Sequence, residues 1–426
     1  MRTTESRAAP NRNRSPLSMS TRSWIATTLV NNLGDGISQV GFQVLLATRG
    51  HGPNALALSF GANQVGLLVM AIVGGHLVDA WSRTRILVRT NLARAAVIGC
   101  VALAVGLDIP WLLSLVIVAQ FALGSLELVA DGAAESLLPS VSADDELDRA
   151  SGLLGAAETA ANSFIGPPIG AALAGIGIWL CFGIDALSYG IAAAGFSFVL
   201  SSAGRQDMPQ STPGTEETMD KNVRPLLAGF RFVGKNREVR AAVTVAVVMA
   251  ISYTAVLSQA YLIAERLVLV DGRWFGLIFA LEAMGFVISG LAFGRLKTSA
   301  SQLLTFAVVA SGGGLVVIAL VGTPVVIGIA LIANGLGNGL IVSYGMAVRI
   351  RVSPDHLRGR IQTAYRSLMI FGSLLGAVAG GALMSRAGAT ATVLTAGVFL
   401  LGTGGVAALA TVSTVHDPGT ARCGPS

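Results

Sequence analysis

Long apolar stretches recur along the whole chain, separated by short polar segments. Runs of 18 or more largely apolar residues read as membrane spans. Twelve are expected, at 23–48, 54–78, 86–107, 111–138, 150–174, 177–200, 239–263, 272–296, 301–321, 325–348, 360–384 and 390–411. Lipid offers the backbone no hydrogen-bond partner, so a span is a helix or part of a closed barrel. Barrel strands would alternate polar with apolar positions, and these runs do not. The pattern therefore predicts an all-α membrane protein.

Composition supports this. Of 426 residues, 53% are hydrophobic and 12% charged, whereas a soluble protein carries about 25% charge. The net charge of +6 does not imply nucleic acid, because the charges fall where membrane topology needs them. Arg2, Arg7, Arg12, Arg14 and Arg22 precede the first span, and the central polar segment is rich in Lys and Arg. The opposite side holds only Arg49, Arg266, Arg273 and Arg386. Positive charge marks the cytoplasmic side, so both termini are expected there. All five Trp fall near predicted span ends, as interfacial aromatics do. Residues 1–22 have no apolar core or cleavage site and read as a tail. Cys100, Cys181 and Cys423 have neither disulfide nor zinc spacing, and no metal or cofactor is expected.

The longest polar stretch, Ser201 to Arg240, divides the spans six and six. The expected organisation is a tail (1–22), a six-helix bundle (23–200), a cytoplasmic linker with an amphipathic helix (201–238), a second bundle (239–411) and a tail (412–426). The halves echo each other. Gly166-Pro-Pro-Ile-Gly170-Ala-Ala-Leu173 aligns with Gly376-Ala-Val-Ala-Gly380-Gly-Ala-Leu383 at an offset of 210 residues. Paired repeats around a central site are a common transporter plan.

Between spans two and three lies Gly75-His-Leu-Val-Asp79-Ala-Trp-Ser-Arg83-Thr-Arg85. At this place in the topology, Gly-x-x-x-Asp-x-x-x-Arg resembles the loop motif of the major facilitator superfamily. Ala80 and Ser82 depart from it. The resemblance implies that Asp79, on a helix dipole, and Arg83 hold a cytoplasmic gate closed, with Gly75 part of the motif. The equivalent point in the second half, Gly290 to Lys297, has Gly294 where an Asp would stand. Span five contains Gly166-Pro167-Pro168-Ile-Gly170, which resembles the antiporter motif of superfamily drug exporters. Proline removes a backbone donor and glycine permits close packing, so a kink is expected. Glu127 to Pro139, Ala157 to Asn162, Phe182 to Ser188 and Pro354 to Arg360 are similar to the branch holding enterobactin-exporter-like and macrolide-efflux-like proteins. The resemblance implies a proton-driven exporter of a small organic molecule in a bacterial inner membrane, acting as a monomer. Uptake on the same fold is the alternative. An enzyme is not expected, since no convergent His/Cys/Ser set occurs. Gly229-Phe-Arg-Phe-Val-Gly234-Lys235-Asn236 has P-loop spacing but lacks the Ser/Thr and the preceding strand.

Ionisable residues at membrane depth are functional candidates. With a helical rise of about 1.5 Å per residue, Asp35 and Glu282 fall near the middles of their spans. Glu158 and Arg94 lie within roughly 4–6 Å of the midplane. Glu127, Asp131 and Glu135 share one helical stripe. A carboxylate out of water holds its proton more tightly, and rehydration on the other side releases it. Asp35 is the first candidate for proton coupling, then Glu127 and Asp131, then Glu158 and Glu282. Arg94 and Arg366 are possible countercharges or ligands for an anionic substrate, and Asp185 reads as structural.

Overall fold

The computed structural model describes residues 17–80, 82–143, 146–202, 220–268, 275–296, 298–354 and 357–410. Among them every regular element is helical. The chain runs α1 (Met19–Thr48), α2 (Pro53–Ala80), α3 (Arg83–Gly106), α4 (Leu112–Val141) and α5 (Leu147–Thr159). A π-helical turn, Ala160–Ile165, joins α5 to α6 (Gly166–Ile176), and α7 (Ile178–Ser202) follows. After the linker come α8 (Asp220–Lys235), α9 (Arg237–Leu257), the short α10 (Ala260–Ile263), α11 (Phe275–Phe293), α12 (Ala300–Leu320), α13 (Pro324–Val352), α14 (Arg358–Phe399) and α15 (Gly405–Ala410).

Several boundaries follow from local chemistry. Ser18 caps α1 by accepting from the Thr21 N–H. Its own N–H donates to Glu146 (3.0 Å), and Ser20 Oγ donates to the Val141 carbonyl (2.8 Å). The helix therefore starts at Met19, inside the segment expected to be tail. Ser299 and Gln302 form a reciprocal capping box at α12, satisfying two donors that a helix start leaves orphaned. Pro53 and Pro324 open α2 and α13, where a missing N–H does no harm. Pro167 and Pro168 lie inside span five and remove two donors, and the π-helical turn sits directly before them. Spans eleven and twelve form one run broken at Gly388, whose φ of 82° suits a residue without Cβ.

Nine helical segments among the described residues are long and apolar enough to cross a membrane. Three of the twelve expected spans are not counted separately there. Helix α1 carries Asn31, Asn32, Asp35, Gln39 and Gln43, the α5–α6 rod is interrupted, and the two arms of α14 are merged. The surface agrees with lipid. Leu103, Val118, Leu187, Phe198, Leu291 and Val378 are each at least 60% exposed, while Arg94, Asp185, Asn91 and Asn334 are buried. That inverts the distribution of a water-soluble protein.

The internal repeat is visible in packing. Gly166 and Gly170 of α6 lie against Gly36 and Ile37 of α1, where added Cβ atoms would come within 2.7 and 2.6 Å of that backbone. At the offset of 210, Gly376 and Gly380 of α14 press on Ile251 and Ala255 of α9. Each half thus packs its glycine-bearing fifth span on its own first span. Helix α8 seats Gly229 on Arg360 and Ala364 of α14, with Val233 buried beside α9. One aromatic departs from expectation. Trp24 is fully buried with its ring centroid 4.7 Å from Phe196, whereas Trp111 and Trp179 are exposed.

Candidate functional site

Helices α1, α3 and α7 bring the first candidate together. Arg94 is 1% exposed, and its Nη2 donates to Asp35 Oδ1 at 2.9 Å. The same oxygen accepts from the Tyr189 hydroxyl. The Arg94 guanidinium lies 4.2 Å from the centroid of the Tyr189 ring, a cation–π geometry. Asp185, one turn before Tyr189, is fully buried, and Ser188 Oγ donates to its Oδ1 at 3.3 Å. Asp35 and Arg94 are therefore partners, which gives Arg94 the countercharge role rather than leaving it open for an anionic ligand. Tyr189 was missed, although its i+4 relation to Asp185 was a readable signal.

Glu127, Asp131 and Glu135 rise along α4. Arg366 of α14 donates to Asp131 at 2.7 Å, linking the two sets of helices. Glu127 and Asp131 lie within electrostatic reach of Arg94, and Glu158 within reach of Asp131, Glu135 and Arg366. Asp35, Arg94, Glu127, Asp131, Arg366 and Glu158 thus form one charged chain from the first half into the second.

Glu282 of α11 stands apart. Asn338 Nδ2 donates to its Oε1 at 3.3 Å. Asn338 also accepts from Ser311 Oγ (2.6 Å) and donates to Asn334 Oδ1 (3.1 Å). This network needs α11 and α13 in near backbone contact, which Gly285 and Gly335 permit. A Cβ on either would run into a carbonyl of the facing helix, that of Glu282 in the case of Gly335.

Gly75 and Asp79 fall on α2, but their side-chain environments lie outside the described residues. Arg83 opens α3 and is half-buried. Gly166, Pro167, Pro168 and Gly170 form the first turns of α6. Pro168 faces Gly276 of α11, with Pro168 Cα 2.8 Å from where a Gly276 Cβ would sit.

The two sets of helices also meet where α1 ends and α2 begins. Gln259 Nε2 donates to the Pro53 carbonyl (3.1 Å), and the Tyr261 N–H donates to Gln43 Oε1 (3.3 Å). Gly381 of α14 sits directly on Ala57. Among the described residues no cluster of three His, Cys, Asp or Glu fits a metal ion.

Comparison with known proteins agrees with this architecture. The family described as transmembrane secretion effector matches residues 12–419. The multidrug efflux pump Tap of Mycobacterium tuberculosis (strain ATCC 25618 / H37Rv) is 27% identical over 393 residues, covering 89% of this chain and 90% of that protein. Tap of Mycobacterium bovis (strain BCG / Pasteur 1173P2) matches equally. A bacterial homologue of the human lysosomal transporter Spinster, solved in an inward-facing and occupied conformation, has a TM-score of 0.68 at 13% identity, over 95% of this chain and 98% of that one. The nucleoside transporter NupG has a TM-score of 0.67 at 12% identity, over 94% and 100%. The chain accordingly belongs to the transmembrane secretion effector family of the major facilitator superfamily, a multi-pass membrane transporter and not an enzyme.

Proposed function

We propose that this transporter exports a small organic molecule in exchange for protons, by alternating access between two six-helix bundles, 23–200 and 239–411, joined by the linker at 201–238. The observation that carries the reading is the charged chain from Asp35 and Arg94 through Glu127 to Asp131 and Arg366. Three acids and two bases at membrane depth are expensive to keep in place without use. The name of the Tap relative, a multidrug efflux pump, supports the direction.

In this reading twelve spans cross a bacterial inner membrane with both termini in the cytoplasm. The end joined by Gln259–Pro53, Tyr261–Gln43 and Gly381–Ala57 is then the outer end, closed in this conformation. Rocking the bundles would part those contacts. Asp131 and Arg366, which sit on opposite bundles, would separate or realign in the same motion. Each acid then alternates between a dry, paired setting and a wet one, and so takes and releases protons in step with substrate. Asp79 and Arg83, with Gly75, form the cytoplasmic gate. The break at Gly166-Pro167-Pro168-Ile-Gly170 lets α6 move against α1 and α11 while the rods stay intact. A single chain holds the whole site, so a monomer suffices.

The test uses proteoliposomes carrying an internal pH dye and an imposed pH gradient. Adding a transported antibiotic should dissipate the gradient with the wild type and not with empty vesicles. A gradient left unchanged, while the antibiotic still crosses, rules out proton exchange. Direction is read from accumulation: cells expressing the gene should hold less antibiotic than cells without it, and higher accumulation would make the protein an uptake system.

A further inference from the structure

Below the Asp35–Arg94 pair, toward the starts of α1 and α3, lies a polar layer that the charged chain does not use. Thr21, Trp24, Thr28, Asn31 and Asp35 of α1 recur at steps of three or four, the spacing of one helical face. Leu87, Asn91 and Arg94 do the same on α3. Two contacts fix the register between these faces. Arg94 meets Asp35, and Trp24 belongs to the same buried cluster as Leu87 and Phe196. Asn31 and Asn91 therefore each stand one turn below the ion pair, and Thr28 stands one turn below Asn31. On α7 the position between Tyr189 and Phe196 is Ala192, and Ala130 of α4 is buried in the same cluster. Small side chains thus share this layer with the amides, which leaves space that larger residues would take.

The polar atoms of this layer are not used up by protein. Among the described residues, Trp24 Nε1, Thr28 Oγ1, Asn31 Oδ1, Asn91 Oδ1 and Arg94 Nε are buried and meet no hydrogen-bond partner. Thr27 and Thr90 return their hydroxyls to carbonyls of their own helices at 2.8 Å, and Thr28 does not. Asn91 Nδ2 donates to the Leu87 carbonyl at 2.8 Å, which fixes that amide and leaves its oxygen unspent. Buried polar groups are bonded in the great majority of cases. Internal water serves those that protein does not reach, and with about three bonds to each molecule, five such atoms call for about two or three waters. The atoms spread over about 16 Å of α1, at about 1.5 Å per residue from Trp24 to Asp35, so the waters form a row and not a single pocket.

We propose that a file of ordered water runs inside the first half, among α1, α3, α4 and α7, from Trp24 to the Asp35–Arg94 pair, and that Asp35 gives up its proton along it. This rests on the proton-exchange reading, in which the end where α1 begins is cytoplasmic, and adds the path. The charged and titratable groups within reach of the upper end are Asp35, Arg94, Tyr189, Asp185, Glu127 and Asp131. Beyond Trp24 stands Glu146, where Thr21 Oγ1 donates to Ser142 Oγ (3.1 Å) and to Glu146 Oε2 (3.3 Å). The Asp35 proton passes to the adjoining water, each water hands one proton to the next, and the last releases it beside Trp24 toward Glu146. Asp35 is left as a carboxylate against Arg94, and the waters are unchanged. The file lies within one half and not between the halves, so proton and substrate travel apart.

The test is X-ray radiolytic labelling of the purified protein in lipid nanodiscs, read by mass spectrometry. Hydroxyl radicals formed in the beam attack side chains that touch water, bound water included. Trp24 should be oxidised despite its burial, whereas Phe182, equally buried in an apolar cluster, should not. Thr28→Val with Asn91→Leu nearly keeps both shapes and removes the polar atoms, so Trp24 labelling should fall severalfold. Thr28→Val alone, an isosteric change, serves where the double variant elutes as aggregate. In proteoliposomes the same variants should lose drug-driven proton movement severalfold while binding the antibiotic with unchanged affinity. Asn91→Gln, which keeps an amide, should retain most of that movement. An unlabelled Trp24 in the wild type overturns the file. A variant with an unlabelled Trp24 that still moves protons at the wild-type rate overturns it as the route. A wild type that exports antibiotic without moving protons refutes the exchange reading, and the route with it, while Trp24 labelling reports the water separately.

Discussion

The Asp35–Arg94 pair makes a quantitative prediction. Arg94 is 1% exposed, sits 2.9 Å from Asp35 and stacks on Tyr189. Asp35→Asn keeps the shape and the acceptor for Tyr189 but removes the countercharge. An unpaired guanidinium at membrane depth costs about 3 kcal/mol, in line with about 3–5 kcal/mol for breaking a buried ion pair from one side. At about 1.4 kcal/mol per tenfold, 3 kcal/mol lowers the folded-to-unfolded ratio by roughly 150-fold. Arg94→Gln leaves a carboxylate that keeps Tyr189 and is less deeply buried, so its loss is smaller, about 1–2 kcal/mol. The double variant replaces an ion pair with two neutral amides and should return to within about 1 kcal/mol of the wild type. Reversible unfolding of the purified protein in mixed micelles gives all four stabilities. Additive single effects, with a coupling term below about 0.5 kcal/mol, would refute the pairing argument. The folded double variant then serves the transport assay better than Asp35→Asn alone, because lost proton movement in it cannot be blamed on a stranded arginine.

Other outcomes follow from named contacts. Gly166→Val places a side chain where even a Cβ would come within 2.7 Å of Gly36 Cα; melting in detergent should fall by an amount equivalent to at least about 2 kcal/mol, and a wild-type melting curve would refute the close α1–α6 packing. Gly381→Val drives a wedge into Ala57 and Pro53; spin labels at Asn54 and Ser385 should report a longer mean distance, and an unchanged distribution refutes the closed end. Arg366→Gln removes the Asp131 link, whose partners are each 39% exposed; stability should change by less than about 1 kcal/mol while drug-driven proton movement falls severalfold, and intact coupling would remove this pair from the mechanism.

Much of the fold was readable because lipid imposes it. A span must be a helix of nearly fixed length, so the rods, the amphipathic α8 and the Gly-Pro-Pro break all carry local signals. What was not readable is rotation about each rod. In water an apolar stripe tells which face turns inward; in lipid the outer face is apolar too, and the stripe vanishes. That is why Trp24 read as an interfacial anchor but packs on Phe196. It is also why the contact between Tyr189 and Asp35, 154 residues apart, was invisible. Within the candidate site, individual acids and bases were legible from their depth. Their partners were not, because Asp131–Arg366 and Glu282–Asn338 depend on which helices adjoin. The start of α1 failed for a different reason. Ser18, Ser20 and Thr21 look like tail until Val141 and Glu146 arrive to accept their hydrogen bonds.

The burial of Trp24 also has an optical consequence. Trp111 and Trp179 present 59% and 53% of their surface outward, within reach of a brominated acyl chain, whereas Trp24 is enclosed by protein. Brominated lipid should therefore extinguish one emission component and spare another, bluer one. Among the described tryptophans the spared light comes from Trp24, at the junction of α1 with α7, and gives an intrinsic gauge of whether that half of the molecule stays packed during turnover.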